Sequence, residues 1–445
     1  MAQTYIQEEE ETVKSGDRWI WGIYITLCII SVIESYTALS QVVGKQGLYA
    51  PLLKHCGLLG SGFLILWTIQ RLHYTKFIFW IKAYAILAFG SVVAVQFLGD
   101  DVNGAVRAIP VPGLGTLQPA ELAKLAIATA IPLVVSRYQI CNGVTRTGAF
   151  WSVTIVCCFA AFLFMQGFTN TMLIMTTSIV IMWVGGIKVR QLGVVFIVYA
   201  LVGAGLYTIN KSNKEKQRKA QTEMQASAGA TSDNAITVDE DEDGASVGRS
   251  STWMNRVLRW KHNHDSLVYM PKTAKNEQEM YAHMAQANGG ILGVGPGNSR
   301  ECSRLPLAYS DYIYSIIVEE TGLIGGVIVL ILYLWILIRA GLIASRCARA
   351  LPALLIMGTA VMITFQALVH MAINTGLFPV SGQSLPLISE GGTSVWCMSA
   401  AFGIMLSVSR HASQNTIDKM KKKDEQNLPK EEQAPNPMQI IINNE

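Results

Sequence analysis

The sequence predicts an all-α integral membrane protein of about ten transmembrane helices, and three observations carry that prediction. Hydrophobic residues make up 51% of the 445-residue chain and charged residues only 15%. The apolar residues gather into runs of about 20, the length a helix rising about 1.5 Å per residue needs to cross a hydrocarbon core of about 30 Å. Cations concentrate in alternate connections between the runs, the bias that marks the cytoplasmic side of a membrane protein.

The first three spans lie near 19–42, 50–71 and 76–99, and the next three near 118–136, 148–166 and 170–187. The fifth and sixth form an almost continuous apolar run, and a single helix of that length would overshoot the bilayer, so a hairpin at QGFTNT divides them. A seventh span near 190–208 precedes a long polar segment, and spans near 312–338, 351–375 and 392–410 complete the set. Arg71 and Lys76, Arg137 and Arg146, Lys188 and Arg190, then Arg339, Arg346, Arg349 and the tail run KMKKK share one side. That side is the cytoplasm, which places the tails 1–18 and 411–445 inside and the large loop 209–310, between spans seven and eight, outside.

The basic run KSNKEKQRK after the seventh span goes against this bias, but long loops are partly exempt from it. Residues 211–250 include TVDEDEDGAS and almost no apolar side chains, and read as a disordered insertion. The acidic N-terminus shows no small-residue cleavage site, so the expectation is no removable signal peptide and targeting by the first span. The net charge of +4 sits in the connections and reports topology, which argues against a nucleic-acid partner. The eight cysteines form no C-x-x-C pair, and His262 and His264 lack further ligands at useful spacing, so the expectation is no protein metal site.

Carboxylates stand out at the start of the eighth span. A charge at the bilayer centre costs about 2.5–3.5 kcal/mol on insertion scales, so a chain that keeps Asp311, Glu319 and Glu320 near a membrane helix is expected to use at least one. Asp311 follows a Pro-containing loop on the outer face, where it can act as a general base toward a lipid-linked head group, or cap the helix together with Ser310. Glu319 and Glu320 lie deeper, placed to pair with intramembrane cations. In QPAELAKL, Glu121 and Lys124 are three residues apart on one face of a helix opened by Pro119, the spacing of an ion pair.

Other candidates lie in the outer loops. Arg107 falls in the loop NGAVRAIPVPG, and Arg256 and Arg259 in STWMNRVLRWKHNHD, where cations and tryptophans either hold an anionic lipid head or anchor an amphipathic segment. Gly289, Gly290, Gly293, Gly295 and Gly297, followed by Asn298 and Ser299, form a loop whose amides either cradle pyrophosphate or simply stay flexible. In NTGLFPVSGQSLPLISEGGTS, Pro379, Pro386 and the glycines exclude a regular helix, giving a loop or re-entrant segment.

Taken in order, NGAVR, QPAELAKL, GGILGVGPGNSR, LPLAYSDYIYSIIVEETGLIG and HMAINTGLFPVSGQSLPLISEGGTS resemble, over nearly the whole chain, the SEDS family (shape, elongation, division and sporulation) of peptidoglycan glycosyltransferases. The resemblance implies polymerisation of lipid II at the outer face of the bacterial cytoplasmic (inner) membrane, with Asp311 as the catalytic carboxylate. It implies substrate contacts from Arg107, Arg256, Arg259, Gly295, Asn298 and Ser299, and a cavity shaped by the charges of Glu121, Lys124, Glu319 and Glu320. No cofactor is implied, and a divalent cation is left open. The implied partners are lipid II, a class B penicillin-binding transpeptidase and divisome membrane proteins.

The chain departs from the family pattern at Leu307 and Tyr309, where Glu and His are usual, at Ala120 for Ser, at Glu390 for Tyr, and at QGFTNT. GQSLPLISEGGTS and the polar tails point to the division type, FtsW, ahead of the elongation type, RodA. Two other classes fit a ten-span protein: a flippase for a lipid-linked precursor, and a non-catalytic scaffold.

Overall fold

The computed structural model describes residues 16–39, 50–98, 100–101, 106–111, 115–140 and 143–201, positions 203, 205, 208, 257 and 260, and residues 277–305 and 310–412. The insertion 211–250, Arg256, Arg259 and most of both tails lie outside the described residues.

The helices are α1 (Arg18–Leu39), α2 (Ala50–Arg71), α3 (Phe77–Leu98), α4 (Pro119–Arg137), α5 (Arg146–Gln166), α6 (Phe168–Val184), α7 (Val189–Leu201), α8 (Glu277–Gly289), α9 (Ile313–Arg346), α10 (Ala350–Asn374) and α11 (Gly392–His411). Eight are long and apolar enough to cross a membrane, and the shorter apolar α6 and α7 make ten. The helix breaks where the hairpin at QGFTNT was expected: Gly167 both ends α5 and begins α6. The polar helix α8, inside the long segment between α7 and α9, was not anticipated. Nor were two small antiparallel sheets, β1 (Asp100–Asp101), β2 (Val106–Val111) and β3 (Gly115–Leu117) in one and β4 (Gln139–Ile140) with β5 (Gly143–Val144) in the other. They satisfy backbone groups of loops outside the helices, which the hydropathy of the spans does not register.

Helices α4, α10 and α11 form the centre. In α4, 89% of the span is buried, against 22% in α2, whose Leu53, Phe63, Leu64 and Trp67 are exposed on its outer face. The reason lies in side-chain size: AELAKLAIATAI gives α4 a surface rich in small residues, and Gly358 of α10 packs so tightly on the Ala128 carbonyl that a Cβ there would collide with it. Small residues let membrane helices approach closely enough for van der Waals contact to hold them.

At 34 residues, α9 would be roughly 50 Å long if straight, more than a bilayer requires. It breaks at Gly322, with φ 73° and ψ −175°, a conformation open essentially to glycine only. The eighth span, expected as one unbroken run near 312–338, is therefore a short leading piece carrying Glu319 and Glu320 followed by a long helix. The break frees carbonyls that the Gly-rich loop occupies: Val294 N donates to Glu319 O at 3.0 Å, Gly295 N to Glu320 O at 2.9 Å, and Leu323 N donates back to Gly290 O at 2.9 Å. Non-helical backbone at this depth is tolerated where protein covers it, and here it is covered. The loop is thus docked, and a Cβ at Gly289 or Gly293 would collide with the Val318 or Glu320 carbonyl.

At the other end of α9, Arg339 forks onto Asp17, with Nε at 2.8 Å and Nη2 at 2.6 Å from Oδ2. The other carboxylate oxygen of Asp17 accepts from Trp19 N and Ile20 N at the start of α1, so one side chain both caps a helix and ties it to α9.

Candidate active site

The Ser310–Asp311 turn leads into α9, whose N-cap position is Tyr312, with no side chain capping the helix. Asp311 stands one residue before that position. Its carboxylate Oδ1 accepts from Ser310 Oγ at 3.1 Å and the residue is partly exposed. The main chain of the turn is fixed from two directions: Ser389 Oγ donates to Ser310 O at 2.8 Å, and Asn374 Nδ2 donates to Asp311 O at 3.1 Å.

The segment 375–391, irregular as its prolines and glycines predicted, is pinned along its length. Gln383 O accepts from His370 Nδ1 at 2.6 Å, Ser384 O from Gln366 Nε2 at 3.0 Å, and Pro386 O from Tyr333 Oη at 2.6 Å. Between these anchors Leu387, 1% exposed, holds φ 64°, a strained value for a residue with a Cβ. Just beyond, burial pushes the Glu390 carboxyl above the usual carboxylate range, an effect that Lys54 of α2 partly offsets.

Beneath this turn, in α4, Lys124 Nζ lies 2.6 Å from Glu121 Oε1 and 2.7 Å from Gln366 Oε1 of α10, with both charged side chains almost wholly buried. The expected ion pair is present and acquires a third partner from across the bundle. Gln366 continues the network to Ser384 Oγ, which sits 3.2 Å from Ser394 Oγ.

Glu319 and Glu320 do not meet intramembrane cations; among the described residues neither forms an ion pair. Glu319 instead collects donors from the Gly-rich loop: Ser299 Oγ, Arg300 N at 3.0 Å, and Asn288 Nδ2 and Glu301 N at 3.4 Å. Glu320 Oε2 accepts from Thr37 Oγ1 of α1 at 3.4 Å, and Oε1 is buried without a hydrogen bond. A buried carboxylate needs donors of any kind, and backbone amides serve as well as cations. Glu34 of α1, not singled out in the sequence, is also buried, and its Oε2 has no hydrogen bond.

The remaining candidates are dispersed. Gly295 uses its amide on Glu320 O, Ser299 its hydroxyl on Glu319, and Asn298 donates to Val294 O at 3.2 Å. Arg107 sits in strand β2, its side chain outside what is described. Trp260, next to Arg259 in sequence, donates to Gly376 O at 2.6 Å and so reaches the outer end of α10. Among the described residues, no three His, Cys, Asp or Glu side chains gather as a metal site.

The sequence did not single out Asn374, Ser389, His370, Gln366 or Gln286, whose Nε2 donates to Ser315 Oγ at 2.9 Å and to Asn374 O at 2.6 Å. Four of them lie in, or just before, the C-terminal segment it had marked as irregular, and the signal was the density of polar side chains at a membrane helix end. Nothing local tells which of them turns toward Asp311, because the two segments are about sixty to eighty residues apart.

The model of the FtsW, RodA and SpoVE family, described as a cell cycle protein, matches residues 17–226 and 254–414. A protein named probable peptidoglycan glycosyltransferase FtsW, from Francisella salina, is 30% identical over 329 residues, covering 71% of this chain and 68% of that one. Peptidoglycan glycosyltransferase MrdB of Escherichia coli is 22% identical over 398 residues, 87% of this chain and 92% of that one. Among solved structures, a chain of a peptidoglycan synthase complex that coordinates polymerization and crosslinking superposes with a TM-score of 0.62 at 21% identity, over 88% of this chain and 98% of that one. The rod shape determining protein RodA of Thermus thermophilus gives 0.56 at 21%, over 88% and 97%. At such identities the structures speak to the fold, whereas the family model covers most of the sequence: the chain belongs to the FtsW, RodA and SpoVE family.

Proposed function

We propose that this chain is a peptidoglycan glycosyltransferase that polymerises lipid II into β-1,4-linked glycan strands, with Asp311 as its general base. The observation that carries the proposal is the Ser310–Asp311 turn: Asp311 is partly exposed at the entrance to α9, and the main chain of the turn is fixed by Ser389 and Asn374. In the reaction Asp311 takes the proton of the GlcNAc 4-hydroxyl on one lipid II as that oxygen attacks the anomeric carbon of another. The bond to the pyrophosphate breaks on the opposite face, undecaprenyl pyrophosphate leaves, and the α-linked donor becomes a β-linked product. One displacement needs one base and a stabilised leaving group.

Arg107, Arg256 and Arg259 are the proposed contacts to pyrophosphate. Gly295, Asn298 and Ser299 are proposed to line the head-group site through the docked loop, while Glu121, Lys124, Glu319 and Glu320 hold its walls. The chain acts in the bacterial inner membrane with both termini cytoplasmic, alongside a class B penicillin-binding transpeptidase, and on GQSLPLISEGGTS and its polar tails belongs to the septal, division-type branch.

The test is polymerisation of labelled lipid II by the purified chain with its transpeptidase, comparing wild type with Asp311→Asn at matched folding and complex formation. Strands from wild type only are expected. Strands from both would move the base elsewhere, and strands from neither, with the complex intact, would favour a flippase or scaffold.

A further inference from the structure

We infer that Asn374 and Ser389 are positioning residues that hold the Asp311 carboxylate in register with the acceptor hydroxyl by clamping the two carbonyls of its turn. The inference rests on Asp311 being the base. Ser389 lies in the irregular segment after α10 and Asn374 at the end of α10, yet they grip consecutive carbonyls, Ser310 O at 2.8 Å and Asp311 O at 3.1 Å. Neither touches the carboxylate in these hydrogen bonds, so each acts through the backbone.

Both clamps are themselves fixed. Ser389 Oγ accepts from Leu385 N at 2.7 Å, which aims its single proton at Ser310 O. Asn374 Oδ1 accepts from Ser315 N at 3.3 Å, and an amide N–H has no acceptor capacity, so this side of the Asn374 carboxamide is its oxygen and the side facing Asp311 O is its nitrogen. His370 completes the orientation. Its Nδ1 faces the Gln383 carbonyl at 2.6 Å and must carry the hydrogen, leaving Nε2 to accept from Asn374 Nδ2 at 3.2 Å. All three side chains are almost fully buried, with Asn374, His370 and Ser389 each 1% exposed. A base on a turn at a helix entrance has backbone freedom unless the turn is held; here two buried donors on separate anchors remove that freedom. Misplacement of a reacting group by about 1 Å can cost on the order of a hundredfold in rate.

The experiment measures initial rates against lipid II concentration for the full chain with its transpeptidase, in wild type, Ser389→Ala, Ser389→Thr, Asn374→Asp and Asp311→Asn, each with its thermal midpoint and complex formation recorded. Asn374→Asp keeps the shape and the acceptor for Ser315 but puts an oxygen against Asp311 O. Expected are kcat losses on the order of ten- to a hundredfold in Ser389→Ala and Asn374→Asp with KM unchanged, and recovery in Ser389→Thr, which restores the hydroxyl. Should Asn374→Asp fail to fold, the two Ser389 variants decide. Wild-type kcat in folded Ser389→Ala beside an inactive Asp311→Asn would overturn this inference only, as would a loss that follows the thermal midpoint or that threonine does not rescue. Strands from Asp311→Asn would instead overturn the base reading on which it rests.

Discussion

Lys124 illustrates how much a single buried charge commits the residues around it. Its ammonium is shared between Glu121 and Gln366, and Glu121 Oε2 already lacks a hydrogen bond. Lys124→Met would leave a carboxylate uncompensated in the middle of the bundle, and breaking such a pair costs about 3–5 kcal/mol. Unfolding of the purified protein in detergent should show that loss, and Glu121→Gln added to Lys124→Met should recover most of it. Glu390 yields a prediction in pH. Its carboxyl titrates above the usual range when folded, so between the unfolded and folded values the native state holds the additional proton. Stability should therefore be greatest below the ordinary carboxylate range and fall as pH rises through that window. The thermal midpoint of Glu390→Gln, followed across the same range, should be flatter; equal slopes in both proteins would show that Glu390 contributes nothing.

Among the elements, the broken helix α9 is the one that organises the outer face. Gly322 permits the break, and the Gly-rich loop fills it with hydrogen bonds to Glu319 O and Glu320 O while side chains of the same loop bind the Glu319 carboxylate. Backbone strain of this kind costs on the order of 1–3 kcal/mol for a residue with a Cβ, and at Gly322 that Cβ would also collide with the Ile291 carbonyl. Gly322→Ala should lower the thermal midpoint and speed hydrogen exchange at the Val294 and Gly295 amides; retained protection there would refute the idea that the glycine holds loop and helix together. The loop's glycines were visible in the sequence, but their purpose was not. Glycine spacing shows that the backbone needs freedom, and only the partner, a second stretch of backbone across the break, shows what the freedom serves.

For the whole molecule, α4, α10 and α11 lie at the centre of the ten apolar helices, the Asp311 turn stands at the entrance to α9, and Asp17 and Arg339 fasten α1 to the far end of α9. Residues 211–250 carry few large apolar side chains and many charged and polar ones. A chain lacking them should fold and polymerise lipid II at close to the wild-type rate, and a well-folded but inactive deletion would contradict that expectation. The number and order of the spans were legible from hydrophobic run length, because lipid imposes one requirement, about 20 apolar residues, on every helix regardless of its neighbours. The same requirement fixed α5 and α6 as two helices and made the carboxylates near α9 conspicuous. It was silent on α8 and the small sheets, which answer to local hydrogen bonding in the polar loops. By itself, then, the sequence determined the class, the spans, the Glu121–Lys124 pair and the prominence of Asp311, all of them properties of residues near one another in the chain. Tertiary structure decided that Glu319 receives donors from the loop and Glu320 one from Thr37 of α1, and that Ser389 and Asn374 close upon the Asp311 turn. Those outcomes depend on which distant segments meet, and a buried polar group specifies that it must find a partner without specifying where along the chain that partner lies.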